Sequence, residues 1–180
     1  MKTKPAKSRR GYIQLYTGNG KGKTTAALGV AFRAMGRDLR TYIGQFMKGR
    51  RYGELTAARN TSLITIEQYG KRTLMHVKEI PSDDDVGMAR RGLRKATQCM
   101  LSGDYDIIVF DEITTAHFFH LITLNEIIET INMKPGEVEV ILTGRYAPPE
   151  IIEMADLVTE MKEIKHYYQQ GVGARKGIEH

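Results

Sequence analysis

The 180-residue sequence contains no tryptophan and a single cysteine, Cys99. One cysteine cannot form a disulfide within the chain, and this favours a protein of the reducing cytoplasm over a disulfide-stabilised secreted one. No apolar run approaches the roughly 20 residues that span a bilayer, so a membrane partner is not expected. The basic start of the chain also lacks the apolar stretch of a secretory signal. We therefore expect a cytoplasmic protein.

Positive charge is concentrated at the start of the chain. Residues 1–10 hold five lysines or arginines and no acidic residue, whereas the rest holds 22 basic and 21 acidic residues. Such a segment can contact nucleic acid or a membrane, but the plainer interpretation is a solvated arm, or one that orders over an active site. We predict a basic flexible arm at 1–10 and a single domain at 11–180, a length that supports one full core.

Strand-like and helix-like segments alternate along the chain, which predicts a parallel sheet with helices on both faces. Residues 107–110 and 140–142 are almost purely apolar, as strands buried on both faces should be. The predicted strands are 13–16, 41–46, 63–67, 107–110, 138–142 and 157–160. Helices are predicted at 26–35, 124–131 and 149–154, and one that begins after Ser82 as cap and ends at 102–104.

A glycine-rich loop with lysines and hydroxyl residues joins the first strand to the first helix. It reads Thr17-Gly18-Asn19-Gly20-Lys21-Gly22-Lys23-Thr24-Thr25. Glycines let backbone N–H groups line a concave nest, and the following helix points its positive end into that nest. This order predicts a polyphosphate nucleotide as ligand, with the Lys23 charge on the phosphates and the Thr24 hydroxyl on Mg²⁺.

The spacing of this loop departs from the usual phosphate-binding pattern. Four residues normally separate the first glycine from the Gly-Lys-Ser/Thr group, whereas three separate Gly18 from Gly22, and Thr17 stands where a glycine is usual. A ligand-free glycine–lysine turn is the alternative. The strand–loop–helix context favours phosphate binding.

Two acidic residues, Asp111 and Glu112, directly follow the most apolar predicted strand. In a phosphate-loop fold the carboxylates that coordinate Mg²⁺ come at this place, because ligands gather at the carboxyl ends of the strands. A solvated turn is the plainer alternative. His117 and His120 could share a helix face, but a pair of this kind is more often surface or core than a metal site. The sequence shows neither the clustered ligands of a zinc site nor a recognisable Ser-His-Asp triad.

Taken in order, these motifs resemble the ATP:corrinoid adenosyltransferases over nearly all of residues 11–180. The loop matches that family's own version, which accounts for its spacing. The other matching segments are Arg-Ala-Met-Gly at 33–36, Gln-Phe-Met-Lys-Gly at 45–49, Phe-Asp-Glu at 110–112, Leu-Thr-Gly-Arg at 142–145, Ala-Asp-Leu-Val-Thr-Glu-Met at 155–161, Lys-His at 165–166, and residues 171–179. Each motif is weak alone, and their order and spacing together are specific.

The resemblance implies an α/β, three-layer, RecA-like P-loop fold with a mostly parallel six-stranded sheet, usually in a homodimer. It implies transfer of the 5′-deoxyadenosyl group of ATP to the Co(I) of a reduced corrinoid (cob(I)alamin, cobinamide or cobyrinic acid a,c-diamide) with release of triphosphate. Mg²⁺ or Mn²⁺ would assist, and a reductase or flavodoxin would supply the electron. ATP is expected to lie reversed in the loop relative to ordinary NTPases, which exposes C5′.

The same resemblance assigns roles by motif. The residues expected to bind the nucleotide are Gly18, Asn19, Gly20, Lys21, Gly22, Lys23, Thr24, Thr25 and Arg33. Thr24, Asp111 and Glu112 are the expected metal ligands, and Lys23, Thr24 and Glu112 the expected catalytic residues.

One segment departs from the family pattern. Better-known members carry Phe-Thr-Trp-Glu-Thr after the third strand, and its aromatic residues help displace the lower ligand of the corrinoid. Here residues 69–77 read Tyr-Gly-Lys-Arg-Thr-Leu-Met-His-Val. We hypothesise that Tyr69, Leu74 and Met75 form an apolar wall for the corrinoid, and we expect His76 to be a loop residue and not a cobalt ligand.

Two other function classes fit parts of the sequence. A phosphate-loop ATPase or kinase would need a residue that positions water or an acceptor hydroxyl, and Glu112 could serve. An ATP-gated nucleic-acid binder would use the arm at 1–10, but the near-neutral body of the chain speaks against it and we expect no nucleic-acid partner.

Overall fold

A computed structural model describes residues 10–71 and 80–179. The strands are β1 Ile13–Thr17, β2 Thr41–Phe46, β3 Ile64–Tyr69, β4 Ile107–Asp111, β5 Glu139–Thr143 and β6 Leu157–Glu160. The α-helices are α1 Lys23–Met35, α2 Gly53–Ala58, α3 Asp83–Leu101, α4 Ile113–Phe118, α5 Leu124–Asn132 and α6 Pro149–Met154, and a 3₁₀ helix follows at Tyr167–Gln170.

The six strands form one sheet in the order β3-β2-β4-β5-β1-β6, and every neighbouring pair is parallel. Alternate side chains of β4 face opposite sides: Ile107 and Val109 pack with α1, whereas Ile108 and Phe110 pack with α3. Both faces are therefore covered, as the apolar strand sequence requires. The prediction of a three-layer α/β fold is confirmed.

All six predicted strands are present, with bounds shifted by at most two residues. The helices expected at 124–131 and 149–154 are also present as α5 and α6. Sequence periodicity missed α2 and α4, which have only six residues each. Helix α2 buries none of its residues, so it carries no apolar period.

Helix α3 begins as predicted, after a capping box at Ser82. The backbone N–H of Asp85 donates to Ser82 Oγ, and the backbone N–H of Ser82 donates to Asp85 Oδ2. Farther along α3, the Cys99 thiol is buried in the hydrophobic core. Within the described part of the chain, no helix is both long and apolar enough to cross a membrane.

Replacing Ser82 by alanine is expected to destabilise the protein by about 1 kcal/mol, because one N–H of the first turn loses its acceptor. Urea unfolding of the two proteins measures this difference. Ser82→Thr keeps an acceptor oxygen and should retain most of the stability. Equal stability of the alanine variant and the wild type would show that the cap contributes nothing.

Candidate nucleotide-binding site

The functional side chains converge where β1, β2, β4 and β5 end. Parallel register places Gln45 beside Asp111 and Tyr16 beside Thr143, so the loops after these strands share one edge of the sheet. A cleft of about 560 Å³ opens at this edge. Its lining comprises Asn19, Gly20, Lys21, Gly22, Lys23, Thr24, Thr25, Leu28, Lys48, Tyr52, Gly53, Glu54, Glu112, Arg145, His166, Gly177, Ile178 and Glu179.

The glycine loop is held closely against the chain that follows β6. Gly18 has a φ of 98°, and a Cβ there would lie 2.4 Å from the Met161 carbonyl oxygen. The backbone N–H of Gly20 donates to the same oxygen at 2.7 Å. Glycine at position 18 is therefore required both by the left-handed backbone and by the close approach of the segment after β6.

Lys23 begins α1 and points back into the loop. Its Nζ donates to the carbonyl oxygens of Gly18 and Gly20, both at 2.8 Å, and the residue is 6% exposed. Burial lowers the pKa of Lys23, although nearby acidic groups oppose this effect. The ammonium thus lies at the floor of the cleft, beside the start of a 13-residue helix. This is a suitable position for binding a phosphate.

Asp111 links the loop to two neighbouring strands from a fully buried position. Its Oδ1 accepts hydrogen bonds from Thr24 Oγ1 at 2.8 Å and Thr143 Oγ1 at 2.7 Å. Its Oδ2 accepts from Lys48 Nζ at 2.8 Å and from Gln45 Nε2 at 3.3 Å. These donors satisfy a charged carboxylate in a place that water does not reach.

Glu112 differs from its neighbour because the backbone turns sharply at this residue, with φ 63° and ψ 25°. Its N–H donates to Thr143 Oγ1 at 2.9 Å, and Thr115 Oγ1 donates to its Oε2 at 2.5 Å. Glu112 consequently lines the cleft, whereas Asp111 lies beneath it. The two acidic residues present carboxylates at two depths of one site.

The end of the chain closes one side of the cleft. Lys21 Nζ pairs with Glu179 Oε1 at 2.6 Å and donates to the Tyr167 hydroxyl at 2.8 Å. Arg175 also pairs with Glu179, and its guanidinium lies 4.8 Å from the centre of the Tyr167 ring. Hydrogen bonds from Arg175, and next from Lys21 and Tyr167, hold the pKa of Glu179 well below its usual range. Lys21 is therefore already neutralised by a carboxylate of the chain.

The structure brings most of the predicted residues together. Asn19 to Thr25 and Glu112 line the cleft, and Asp111 contacts Thr24. Arg33 is exposed in the last turn of α1 and does not line the cleft. The ring of Tyr69 lies against Gly92 of α3, so it contributes to the core there. The other two members of the hypothetical corrinoid wall, and His76, lie outside the described residues.

Sequence reasoning assigned no role to Lys48, Thr143 or Arg145, although the motifs that contain them were recognised. Thr143 is the last residue of β5, and Lys48 and Arg145 each come two residues after a strand ends. This position at the carboxyl end of a strand is the sequence feature that could have identified them as site residues. Their convergence depends on the order of the strands across the sheet.

The side chains around Thr24 suit a hard cation. Thr24 Oγ1 and the Asp111 carboxylate are in contact, and both offer oxygen atoms that can coordinate a metal ion. Glu112 adds a second carboxylate at the rim of the cleft. Oxygen ligands of this kind are what Mg²⁺ and Mn²⁺ prefer. Among the described residues, no group of three or more His, Cys, Asp or Glu side chains could hold a metal ion by itself. A cation here would thus share its coordination with bound phosphates.

Comparisons with known proteins agree over nearly all of the chain. The family model described as ATP:corrinoid adenosyltransferase BtuR/CobO/CobP matches residues 9–180. The corrinoid adenosyltransferase of Escherichia coli K12 is 32% identical over 97% of this chain and 88% of its own length. Corrinoid adenosyltransferase CobA of Salmonella typhimurium is 33% identical, with the same coverage of both chains.

A solved structure supports the fold independently of sequence. The flagellar accessory protein FlaH from Methanocaldococcus jannaschii superposes with a TM-score of 0.57 at 9% identity, over 84% of this chain and 71% of that one. Identity this low supports the fold alone. The family match and the curated relatives carry the identification: the chain belongs to the ATP:corrinoid adenosyltransferase family.

Proposed function

We propose that this chain transfers the 5′-deoxyadenosyl group of ATP to the Co(I) centre of a reduced corrinoid. The observation that carries the proposal is the phosphate-binding cleft in a chain that matches this family from residue 9 to residue 180. In the reaction, the electron pair of Co(I) attacks C5′, the cobalt–carbon bond forms, and the C5′–O bond breaks to release triphosphate. Co(I) is itself the nucleophile, so the reaction requires no general base.

The chain's contribution is then position and charge. The backbone N–H groups of the glycine loop and the start of α1 would bind the triphosphate, and Lys23 would place a full positive charge against it. Negative charge grows on the triphosphate as the C5′–O bond breaks. Cationic groups that are already in place therefore stabilise the transition state more than the ground state.

Thr24, Asp111 and Glu112 would hold Mg²⁺ in this site. When bound with ATP, the cation supplies further positive charge to the departing triphosphate. Thr143 keeps the Asp111 carboxylate oriented toward Thr24 through its 2.7 Å hydrogen bond.

An aromatic surface beside the cleft is our candidate for the corrinoid contact. The rings of Phe118 and Tyr146 stack with centroids 4.0 Å apart and remain 36% and 49% exposed. Tyr146 directly follows Arg145, which lines the nucleotide cleft. A corrin is a broad ring with apolar faces, and exposed aromatic rings next to the nucleotide can bind such a face. This surface could replace the aromatic segment that the chain lacks.

Tyr146→Ala and Phe118→Ala should each raise the KM for cob(I)alamin about tenfold while leaving the KM for ATP nearly unchanged, since a stacked aromatic contact of about 1.4 kcal/mol is lost. Phe32→Ala, which removes an exposed aromatic ring on α1, is the matched control. A rise in both KM values, or none, would exclude this surface as the corrinoid contact.

Several features of the protein remain proposals. A homodimer, a reductase or flavodoxin that generates Co(I), and a contact of Arg33 with the nucleotide rest on family analogy. A cytoplasmic location and a basic arm at 1–10 rest on composition and charge. An Arg33 contact requires the nucleotide to extend beyond the cleft, or a second subunit to bring another cleft near. Light scattering of the purified protein measures the oligomeric state directly.

The experiment that tests the function is an anaerobic incubation with Mg²⁺-ATP and chemically reduced cob(I)alamin. We expect a light-sensitive cobalt–carbon product in the visible spectrum and an equal amount of triphosphate. Formation of ADP and phosphate without alkylated corrinoid would instead identify an ATPase.

A further inference from the structure

Lys48 occupies the place between the two innermost candidate metal ligands. Its Nζ lies 2.8 Å from Asp111 Oδ2 and 3.2 Å from Thr24 Oγ1. The Lys48 side chain is only 17% exposed, and its charge also lies 5.5 Å from the centre of the Tyr52 ring. The same two oxygen-bearing side chains that would face Mg²⁺ therefore face an ammonium group.

The backbone around Lys48 is closely packed and leaves the side chain as the part that can move. Met47, the first residue after β2, has a φ of 58°, in the left-handed region. A Cβ on Gly49 would lie 2.2 Å from the Gly70 carbonyl oxygen, so residues 47–49 are packed against the end of β3. The long, flexible lysine stem nevertheless borders the open cleft.

Two cations cannot share this place without strong repulsion. The Asp111 carboxylate is fully buried, so it needs a positive partner, and charges interact strongly where water is excluded. The Lys48 ammonium is that partner, since its Nζ lies 2.8 Å from Asp111 Oδ2 in a contact that leaves the carboxylate no exposure to water. Lys48 is thus a full positive charge at the position that a divalent cation would need.

We infer that Lys48 is the resident cation of the nucleotide-free site, which leaves Asp111 and Thr24 when Mg²⁺ and nucleotide bind and then contacts the triphosphate. This inference rests on the proposed function for its second step only. The exchange would keep Asp111 neutralised throughout the catalytic cycle. It would also make metal binding weak until phosphates are present to receive the displaced ammonium.

The first step is tested without nucleotide or corrinoid. Lys48→Met removes the charge but keeps the apolar stem, so in EDTA the variant should melt about 6 °C or more below the wild type. Its dissociation constant for free Mn²⁺, measured by electron paramagnetic resonance, should fall at least about tenfold because the competing charge is gone. Mg²⁺ should raise the melting temperature of the variant more than that of the wild type.

Lys71→Met is the matched control, because Lys71 also pairs with an acid, Asp85, at 2.8 Å, but its side chain is 44% exposed, against 17% for Lys48. It should change neither Mn²⁺ affinity nor the response to Mg²⁺. Should Lys48→Met not fold, Lys48→Gln decides the question, since it keeps a hydrogen-bond donor without the charge. If the folded Lys48 variant binds Mn²⁺ no more tightly than the wild type, the proposal that Lys48 and the metal ion exchange at Asp111 is refuted.

The second step is tested with inorganic triphosphate and Mg²⁺. Loss of a charged hydrogen bond should weaken triphosphate binding by Lys48→Met about tenfold or more, measured by calorimetry. If Lys48→Met binds Mn²⁺ more tightly but triphosphate equally well, the second step is overturned: Lys48 then neutralises Asp111 before the metal binds and makes no contact with the triphosphate. Because neither measurement includes a corrinoid, both outcomes are separate from success or failure of adenosyl transfer.

Discussion

Lys23→Ala is expected to lower kcat/KM for ATP in adenosyl transfer by about 1,000-fold or more, which corresponds to roughly 4 kcal/mol of lost transition-state stabilisation. The buried ammonium lies at the floor of the cleft, between the carbonyl oxygens of Gly18 and Gly20. Its two hydrogen bonds brace the loop, and with ATP bound it would oppose the charge that develops on triphosphate.

The measurement is a steady-state assay of cobalt–carbon bond formation, combined with thermal unfolding to separate catalysis from folding. Lys134→Ala is a stringent control, because Lys134 Nζ also donates to backbone carbonyls, those of Gly11, Pro135 and Val138, but away from the cleft. The control should lose stability and keep its activity per folded molecule. Activity of Lys23→Ala within tenfold of the wild type would refute the assigned role.

Asp111→Asn should reduce activity at least about 100-fold and destabilise the protein by roughly 3 kcal/mol. The substitution removes a candidate metal ligand and leaves Lys48 without its buried partner. It also places an amide where three different side chains donate to Oδ1 or Oδ2 at 2.8 Å or less. Urea unfolding and the adenosylation assay measure the two effects separately.

A double variant distinguishes these contributions. Adding Lys48→Met to Asp111→Asn should recover much of the lost stability, because no unpaired charge remains buried, but activity should stay low. Asp156→Asn is the control. In the wild type the exposed Asp156 carboxylate accepts one hydrogen bond, from the Ile13 N–H at 2.8 Å, so this variant measures the cost of the same substitution at an exposed site. Stability of Asp111→Asn equal to that of the control would contradict the central position given to Asp111.

The parts of the fold that were predictable are those with a local physical signal. Strands β4 and β5 are continuous apolar runs, α3 begins with a capping box, and the glycine loop stands between a strand and a helix. The six-residue helices α2 and α4 lack such signals, since neither is long enough for an apolar period. Helix α4 is positioned by packing of its buried residues Ile113, Thr114 and Ala116, whereas α2 buries no residue at all.

By itself, the sequence determined the class of ligand and the family, because a phosphate loop and its flanking motifs are contiguous and their chemistry depends on residue type. The tertiary structure alone decided which charges meet. Strand order places β2 beside β4 and so brings Lys48 onto Asp111, and the folded end of the chain brings Glu179 onto Lys21 across 158 positions. Contacts between distant residues depend on strand order and loop direction, which no local pattern of residues records.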